Sequence, residues 1–115
     1  MAVEDLLPLK PDVFHILLLL LDGPRHGYAI MQDLEHSSAG EVRLLPGALY
    51  RHLERMLDDG ILEERRPGPQ DPDTRRRVYR VTPFGREVAR AEAHRLERVV
   101  ERARHRRLIR DHGSS

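Results

Sequence analysis

The sequence predicts a mainly α-helical fold with a small β-hairpin wing, that is, a winged helix-turn-helix followed by one long C-terminal helix. Two observations predict it. An amphipathic helix is expected from Pro46 to Gly60, and it runs directly into a short strand. A turn rich in Pro and Asp then leads to a second strand that begins with three arginines. A helix followed by a basic hairpin is the layout of a winged helix.

The first helix is expected from Pro11 to Leu21. Proline suits the first helical position, and the carboxylate of Asp12 faces the positive end of the helix dipole. Residues 16–21 are apolar on every side of the helix, which predicts a position in the centre of the fold. Residues 22–24, Asp-Gly-Pro, end this helix.

The second helix is expected to follow His26 and to close at residues 37–40. Tyr28, Met31 and Leu34 recur at helical spacing and predict its apolar side. His26 itself is expected to cap or pack this helix.

The third helix has an apolar back and a polar front. Its back consists of residues at spacings of four, three and one, namely Leu49, Leu53, Met56 and Leu57. Its front consists of small and polar residues, namely Gly47, Ala48, Arg51, His52 and Arg55. A helix that enters the DNA major groove needs such a packed back and free front, and an arginine there pairs with guanine. Many amphipathic helices with two arginines share this pattern.

The wing is expected to pair residues 61–66 with residues 75–81 across the loop 67–74. Five arginines lie on this ribbon, namely Arg65, Arg66, Arg75, Arg76 and Arg77. Their mutual repulsion favours contact with phosphate oxygens or with a narrow minor groove. Ion pairs with Asp71 and Asp73 at the tip are the alternative.

The last helix is expected to begin with Thr82 as its N-cap and Pro83 at its first position, and to run to Arg110. Small and apolar residues recur along it with the spacing of a coiled-coil seam, namely Ala89, Ala93, Leu96, Val100 and Ala103. We therefore predict a winged helix-turn-helix domain at 1–82, a dimerisation helix at 83–110 and a disordered tail at 111–115.

Charge is distributed unevenly along the chain. Residues 1–64 contain 5 Lys and Arg against 12 Asp and Glu, a net charge of −7. Residues 65–115 contain 15 Arg against 7 Asp and Glu, a net charge of +8. The second half is therefore expected to meet an anionic partner, although a solvated charged helix explains part of the pattern.

Other classes of function have little support in the sequence. The absence of cysteine excludes disulfides and thiolate metal sites, and the seven histidines lack metal-binding spacings. No nucleophile elbow, phosphate loop or carboxylate cluster points to catalysis. We expect no cofactor, no metal and no enzymatic activity. The longest apolar run, residues 16–21, is too short for a membrane span, so a cytoplasmic protein without a membrane partner is expected.

Three blocks of this sequence resemble the PadR-like transcriptional regulators. They are residues 16–30 (ILLLLLDGPRHGYAI), residues 46–50 (PGALY) with Leu53 and 60–62 after them, and residues 75–85 (RRRVYRVTPFG). The resemblance covers about residues 9–107. It implies a homodimeric winged helix-turn-helix repressor of the short branch, with the helix from Pro83 onward as the dimerisation element.

Two departures from the family pattern concern the third helix and the wing. Family members often carry Ser and Thr beside the Pro-Gly of this helix, where this chain has Leu45 and Ala48. The helix is therefore expected to lack an N-cap, which costs about 1 kcal/mol. The loop 67–74 is also long and acidic for the family.

An effector is a further expectation from the resemblance. Some short-branch relatives bind flat aromatic or cationic drugs between aromatic side chains at the dimer interface. This chain has no Trp and no aromatic residue after Phe84, which excludes an aromatic clamp on its last helix. A small-molecule effector site would need other residues, such as Phe14 or Tyr28.

We therefore predict a homodimeric, sequence-specific regulator that binds double-stranded operator DNA and represses transcription. The predicted DNA-binding residues are Gly47, Ala48, Tyr50, Arg51, Arg55, Arg75, Arg76 and Arg77. The alternative is a winged-helix protein-interaction module whose basic wing and last helix bind an acidic protein, without sequence-specific DNA binding.

Overall fold

The computed structural model describes residues 1–65 and 77–110. Within these residues the chain forms a short 3-10 turn, four α-helices and three strands. In chain order they are the 3-10 turn Val3–Leu6, α1 (Pro11–Leu21), β1 (Arg25–His26), α2 (Gly27–Ser37), α3 (Pro46–Asp58), β2 (Leu62–Arg65), β3 (Val78–Val81) and α4 (Pro83–His105). The predicted mainly helical fold with a small hairpin is confirmed.

The first helix lies in the centre of the core, as its apolar run predicts. Five of its eleven residues are buried, namely Val13, Ile16, Leu17, Leu19 and Leu20. They pack with buried side chains from α2, α3, the sheet and the beginning of α4. A continuous apolar run in a helix therefore marks burial from several sides here.

The sheet has three antiparallel strands in the order β1-β3-β2. β1 was not predicted: its two residues, Arg25 and His26, pair with Tyr79 and Val78 of β3. The expectation that His26 caps or packs α2 is wrong for its side chain. His26 occupies the N-cap position, but its side chain forms no cap hydrogen bond and is exposed. Pairing with β3 explains its position better than capping does.

The apolar side of α2 is narrower than predicted. Ile30 and Leu34 are buried and Met31 is half-buried, but Tyr28 is 65% exposed. Tyr28 lies in the first turn of α2, where its hydroxyl accepts a hydrogen bond from the side-chain amide of Gln32. It therefore belongs to the surface of the helix and not to the core.

The beginning of α4 is fixed by Thr82, as predicted. The Thr82 hydroxyl accepts a hydrogen bond from the backbone N–H of Gly85 at 2.9 Å. The backbone N–H of Thr82 donates to the carbonyl of Ile61 at 3.0 Å. These bonds satisfy a free N–H group of the helix and attach its first turn to the chain just before β2.

The predicted end of the last helix at Arg110 is wrong, because α4 ends at His105. Arg107 adopts a left-handed conformation with φ of 62°. The backbone N–H of Leu108 then bonds to the carbonyl of Ala103 at 3.0 Å, which is a typical way to close a helix. The 23 residues of α4 give a length of about 34 Å.

Burial divides α4 into two halves. Gly85, Val88, Ala89 and Glu92 are buried, and no residue from 93 to 110 is. The predicted boundary at residue 83 thus falls at the start of a helix whose first half packs in the winged-helix core. The division into domains remains a proposal, and the tail at 111–115 lies outside the described residues.

Candidate nucleic-acid interface

The third helix, α3, has one buried and one exposed face. Leu49, Leu53 and Met56 are buried, as their spacing predicts, and Leu57 is half-buried. The exposed residues of the opposite face are Gly47, Arg51, Glu54, Arg55 and Asp58. The packed back and free front expected of a groove-binding helix are therefore both present.

The front of α3 is open around Gly47. A Cβ atom at this glycine would meet nothing closer than the Arg51 guanidinium, at 3.6 Å. The Arg51 side chain therefore lies along its own helix toward the N-terminal turn. The Arg51 guanidinium thus places a positive charge beside Gly47 on the exposed face of α3.

The charge of this front is mixed toward the end of the helix. Arg55 forms an ion pair with Asp59, with Nε 3.4 Å from the carboxylate. The Arg55 side chain is largely exposed, so water screens this pair and its contribution to stability is small. A phosphate group can therefore compete with Asp59 for Arg55 at little cost.

The beginning of α3 lacks a side-chain cap. Leu45 occupies the N-cap position, forms no cap hydrogen bond and is 79% exposed. The predicted loss of the cap is confirmed. Ala48, the second departure from the family pattern, is half-buried beside the open front.

Tyr50 lies between α3 and the beginning of α2. A Cβ atom at Gly27 would lie 2.7 Å from the Tyr50 hydroxyl and 3.0 Å from Cε1 of its ring. The ring therefore rests on the backbone of Gly27, where the absence of a side chain leaves room for it. Tyr50 remains partly exposed at this junction.

His52 does not belong to the front of α3, although the sequence placed it there. It is half-buried and faces α1, with Nε2 3.9 Å from the carboxylate of Asp12. His52 directly follows Arg51 in α3. Each helical residue is rotated by about 100° from the one before it, which turns His52 toward α1.

Arg77 connects the wing to α3. Its guanidinium lies 3.7 Å from the carboxylate of Glu54 and 3.6 Å from that of Glu64. Arg77 also forms a hydrogen bond with the buried Tyr79 hydroxyl. Burial raises the pKa of Tyr79, and the charge and hydrogen bond of Arg77 act in the opposite direction. Arg77 is thus held by groups from three elements.

The remaining wing arginines divide into two groups. Arg80 pairs with Glu63 across the strands, and Arg65 is exposed at the end of β2. The predicted DNA-binding residues Arg75 and Arg76 lie outside the described residues, as do Arg66 and the loop 67–74. Their predicted contact with phosphate stays a prediction.

The predicted dimerisation residues are placed differently along α4. Ala89 is buried in the core of its own chain and Ala93 is exposed. Leu96, Val100 and Ala103 are half-buried, and Val99 beside them is exposed. Leu96, Val100 and Ala103 lie on the same side of α4 as Ala89, further along the helix than the core extends.

One buried charged residue was missed by the sequence reasoning. Glu92 is 1% exposed and accepts a hydrogen bond from the backbone N–H of Leu9 at 2.9 Å. Arg95 pairs with the same carboxylate. A glutamate in an amphipathic helix gives no sign of such burial, because its partner lies 83 residues earlier.

Over residues 1–65 and 77–110, no three His, Asp or Glu side chains are grouped so that they could hold a metal ion. None of the helices in these ranges combines the length and apolar character that crossing a bilayer requires.

The family model of the PadR-like transcriptional regulators matches residues 16–91. The chain belongs to the PadR-like family. This match covers all of α2, α3 and the wing, and it extends into α4. Members of this family are transcriptional regulators and not enzymes, which agrees with the lack of catalytic motifs in the sequence.

Individual relatives support the assignment to the PadR-like family. The transcriptional regulator Rv3488 of Mycobacterium tuberculosis is 36% identical over 87 residues, which cover 75% of this chain and 76% of that protein. An uncharacterized 37.1 kDa protein in transposon TN4556 of Streptomyces fradiae is 38% identical over 87 residues, or 76% of this chain. The match spans only 23% of the transposon protein.

A solved structure shares the fold. The crystal structure of a PadR family transcription regulator from hypervirulent Clostridium difficile superposes with a TM-score of 0.69. It is 19% identical and covers 84% of this chain and 97% of that chain. The arrangement of α1 to α4 around the small sheet is therefore that of a PadR-like regulator.

Proposed function

We propose that this PadR-like regulator is a homodimeric repressor that binds a specific sequence of double-stranded DNA through α3 and the wing. The observation that carries the proposal is the front of α3, where Arg51 lies over Gly47. Arg51 forms no ion pair within residues 1–65 and 77–110. Its guanidinium is therefore free to donate two hydrogen bonds to a guanine in the major groove.

The residues around Arg51 suit close approach to a duplex. Gly47 and Ala48 keep the first turn of α3 narrow. Arg55, about two turns further along the helix, can exchange its ion pair with Asp59 for one with a phosphate. Tyr50 is partly exposed beside them, and its hydroxyl can donate to a phosphate oxygen. Base choice would then depend mainly on Arg51.

The wing supplies affinity in this proposal. Arg75 and Arg76 contact phosphates, which adds affinity that does not depend on sequence and is sensitive to salt. Arg77 has a different role, because Glu54 and Glu64 already neutralise it. We assign it to holding the wing at a fixed angle to α3.

Dimerisation would use the second half of α4. Leu96, Val99, Val100 and Ala103 form an apolar strip that the described part of their own chain leaves half-buried or exposed. A second copy of the same strip would bury it symmetrically, and two-fold symmetry would place two α3 helices on one face. Such a dimer favours a palindromic operator.

Repression follows from occupancy, since a bound dimer excludes other proteins from the same DNA. Release by a small-molecule effector and a cytoplasmic location are part of the same proposal.

The test is selection of a binding site from a random duplex library, followed by affinity measurements at several salt concentrations. Arg51→Ala is expected to lose base preference, whereas Arg76→Ala weakens all duplexes about equally and lowers the salt slope by about one. Arg90→Ala, which removes an exposed arginine from α4, is the matched control. Equal operator affinity of wild type and Arg51→Ala at every salt concentration would overturn the assignment of α3.

The alternative, a module that binds an acidic protein, predicts a different result. Its affinity for duplex DNA would be weak, and the library would return no preferred sequence. The acidic first half of the chain, with a net charge of −7 over residues 1–64, is the feature that favours it, because that charge opposes contact with phosphate.

A further inference from the structure

The exposed front of α3 carries a carboxylate, that of Glu54, beside the arginine to which the proposed function assigns base reading. Glu54 follows Arg51 by three residues, which places it about 4.5 Å further along the helix axis and about 60° around it. Its side chain is 58% exposed. Within residues 1–65 and 77–110 the Glu54 carboxylate accepts no hydrogen bond. Its acceptor sites are therefore open on the same face as the Arg51 guanidinium.

The wing residue Arg77 restrains this carboxylate by charge. Nη1 of Arg77 lies 3.7 Å from Oε1 of Glu54, a distance that allows an ion pair but is too long for a hydrogen bond. Arg77 is anchored on the wing side by the carboxylate of Glu64 and by the hydroxyl of Tyr79. It thus reaches Glu54 from a fixed position and leaves the oxygen lone pairs of Glu54 available.

The chemistry of a carboxylate selects one base in the major groove. An ionised carboxylate has acceptors only, so it can contact only hydrogen-bond donors. Cytosine presents its N4 amino group there, whereas guanine and thymine present acceptors and adenine places its N6 amino group beside the acceptor N7. Phosphate groups carry negative charge and repel a carboxylate. The edge of cytosine therefore fits Glu54 best.

We propose that Glu54 is a second base-reading residue of α3, which accepts a hydrogen bond from the N4 amino group of a cytosine, and that Arg77 is its positioning residue. Arg77 fixes the direction of the carboxylate and offsets its repulsion from the phosphates. This inference rests on the proposed function, because it needs α3 in the major groove. Successive bases are about 3.4 Å apart along the duplex, so the cytosine lies one or two base pairs from the guanine that Arg51 reads.

The test is site selection from a random duplex library with wild type, Glu54→Gln and Asp58→Asn. Glutamine has the shape of glutamate without its charge, and it pairs with N6 and N7 of adenine. Glu54→Gln is therefore expected to change one position of each half-site from cytosine to adenine, with about a tenfold change in the ratio of the two affinities. Asp58→Asn removes the same charge from an exposed position one turn further along α3. It is expected to keep the wild-type base preferences.

The positioning role of Arg77 is tested on the same pair of duplexes. Arg77→Gln is expected to lower the preference for cytosine at the Glu54 position roughly threefold, because the carboxylate loses its partner. The guanine preference that depends on Arg51 is expected to remain. Arg77→Lys keeps the charge and should restore most of the cytosine preference. A wing that is merely displaced would weaken both duplexes equally, so an unchanged ratio in Arg77→Gln would refute the positioning role.

The selection separates failure of this inference from failure of the proposed function. A Glu54→Gln profile that matches wild type at every position would overturn base reading by Glu54, and so would a change that Asp58→Asn shares. Either result leaves the proposed function standing, since wild type still selects a site. If wild type selects no sequence at all, the proposed function itself fails, and base reading by Glu54 fails with it.

Discussion

The ring of Tyr50 rests on the backbone of Gly27, so that α3 and the first residue of α2 are in direct contact. The Tyr50 hydroxyl lies 2.7 Å from the position that a Cβ atom would take at Gly27. The contact fixes Tyr50 at the side of α3 where, in our proposal, the duplex lies. A methyl group at Gly27 would therefore displace the Tyr50 ring, although the helical backbone at this position accepts any residue.

Gly27→Ala is expected to weaken operator binding roughly fivefold while changing stability little. The added methyl group meets the far end of a partly exposed side chain, so Tyr50 can swing outward without disturbing the core. The loss of operator affinity should then depend only on the displacement of Tyr50. Operator affinities of Gly27→Ala, Tyr50→Ala and the double variant test this.

The double variant is expected to bind as Tyr50→Ala does, because no ring is left for the methyl group to displace. If the two losses add in full, Gly27→Ala acts through another part of the interface.

Gly85→Ala should behave in the opposite way, with a large loss of stability. A Cβ atom at Gly85 would lie 2.2 Å from the carbonyl oxygen of Ile61 and 2.8 Å from Cγ1 of Val81. Backbone cannot move aside as a side chain can, so α4 must shift away from the sheet. We expect a loss of about 3 kcal/mol in the free energy of unfolding, measured by urea titration.

Gly47→Ala is the matched control for Gly85→Ala. Its methyl group would contact only Arg51, at an ordinary distance of 3.6 Å. Alanine in a helix is favoured over glycine by about 0.5–1 kcal/mol, so stability should rise slightly. Equal stability of the Gly85 and Gly47 variants would contradict the close packing of α4 on Ile61.

The sequence predicted the elements whose signals are local. The Pro11 and Pro46 helix starts, the Thr82 cap and the buried stripe of α3 each depend on a few neighbouring residues, and the structure confirms them. β1 could not be predicted, because two residues carry no pattern and only pairing with β3 makes them a strand.

Long-range partners explain the other differences between expectation and structure. Arg77 appears in the sequence as one of three basic residues, but its carboxylate neighbours Glu54 and Glu64 come from other elements. The sequence predicts Glu92 at the surface, although it is buried and accepts a hydrogen bond from the backbone N–H of Leu9. The end of α4 was missed because its left-handed residue is Arg107, where glycine is the usual signal.

Tyr79 is expected to make the protein less stable at high pH. Its pKa in the folded protein is raised above the ordinary 10.0, chiefly by burial. The folded state therefore holds the phenolic proton more tightly than the unfolded state. This contribution to stability is complete below pH 10 and is lost as the pH rises through the folded pKa.

Urea titrations at a series of pH values from neutral to alkaline measure this effect. Above pH 10 the free energy of unfolding of wild type should fall more steeply than that of Tyr79→Phe, by at most about 1.4 kcal/mol per pH unit. Tyr28→Phe removes an exposed hydroxyl and should follow wild type. Parallel curves for wild type and Tyr79→Phe would show that Tyr79 does not control alkaline stability.

Leu96→Glu is expected to convert the proposed dimer into a monomer. Leu96 lies in the apolar strip on the second half of α4, where the described part of its own chain leaves it only half-buried. A dimer through this strip would bury the introduced carboxylate against its symmetry mate, and an unpaired buried charge is strongly unfavourable. Folding of the single chain should persist, since the core uses only the first half of α4. Molar mass by light scattering and helicity by circular dichroism measure the two properties separately.

The matched control is His94→Glu, which introduces the same acidic side chain at an exposed position of α4. Residues 94 and 96 point about 160° apart around the helix, so this control should leave the dimer intact. Operator affinity should fall for Leu96→Glu far more than for His94→Glu, because a monomer contacts one half-site where the dimer contacts two. If Leu96→Glu remains a dimer, the copies associate through another surface, and the apolar side of α1 around the exposed Leu18 is then the candidate.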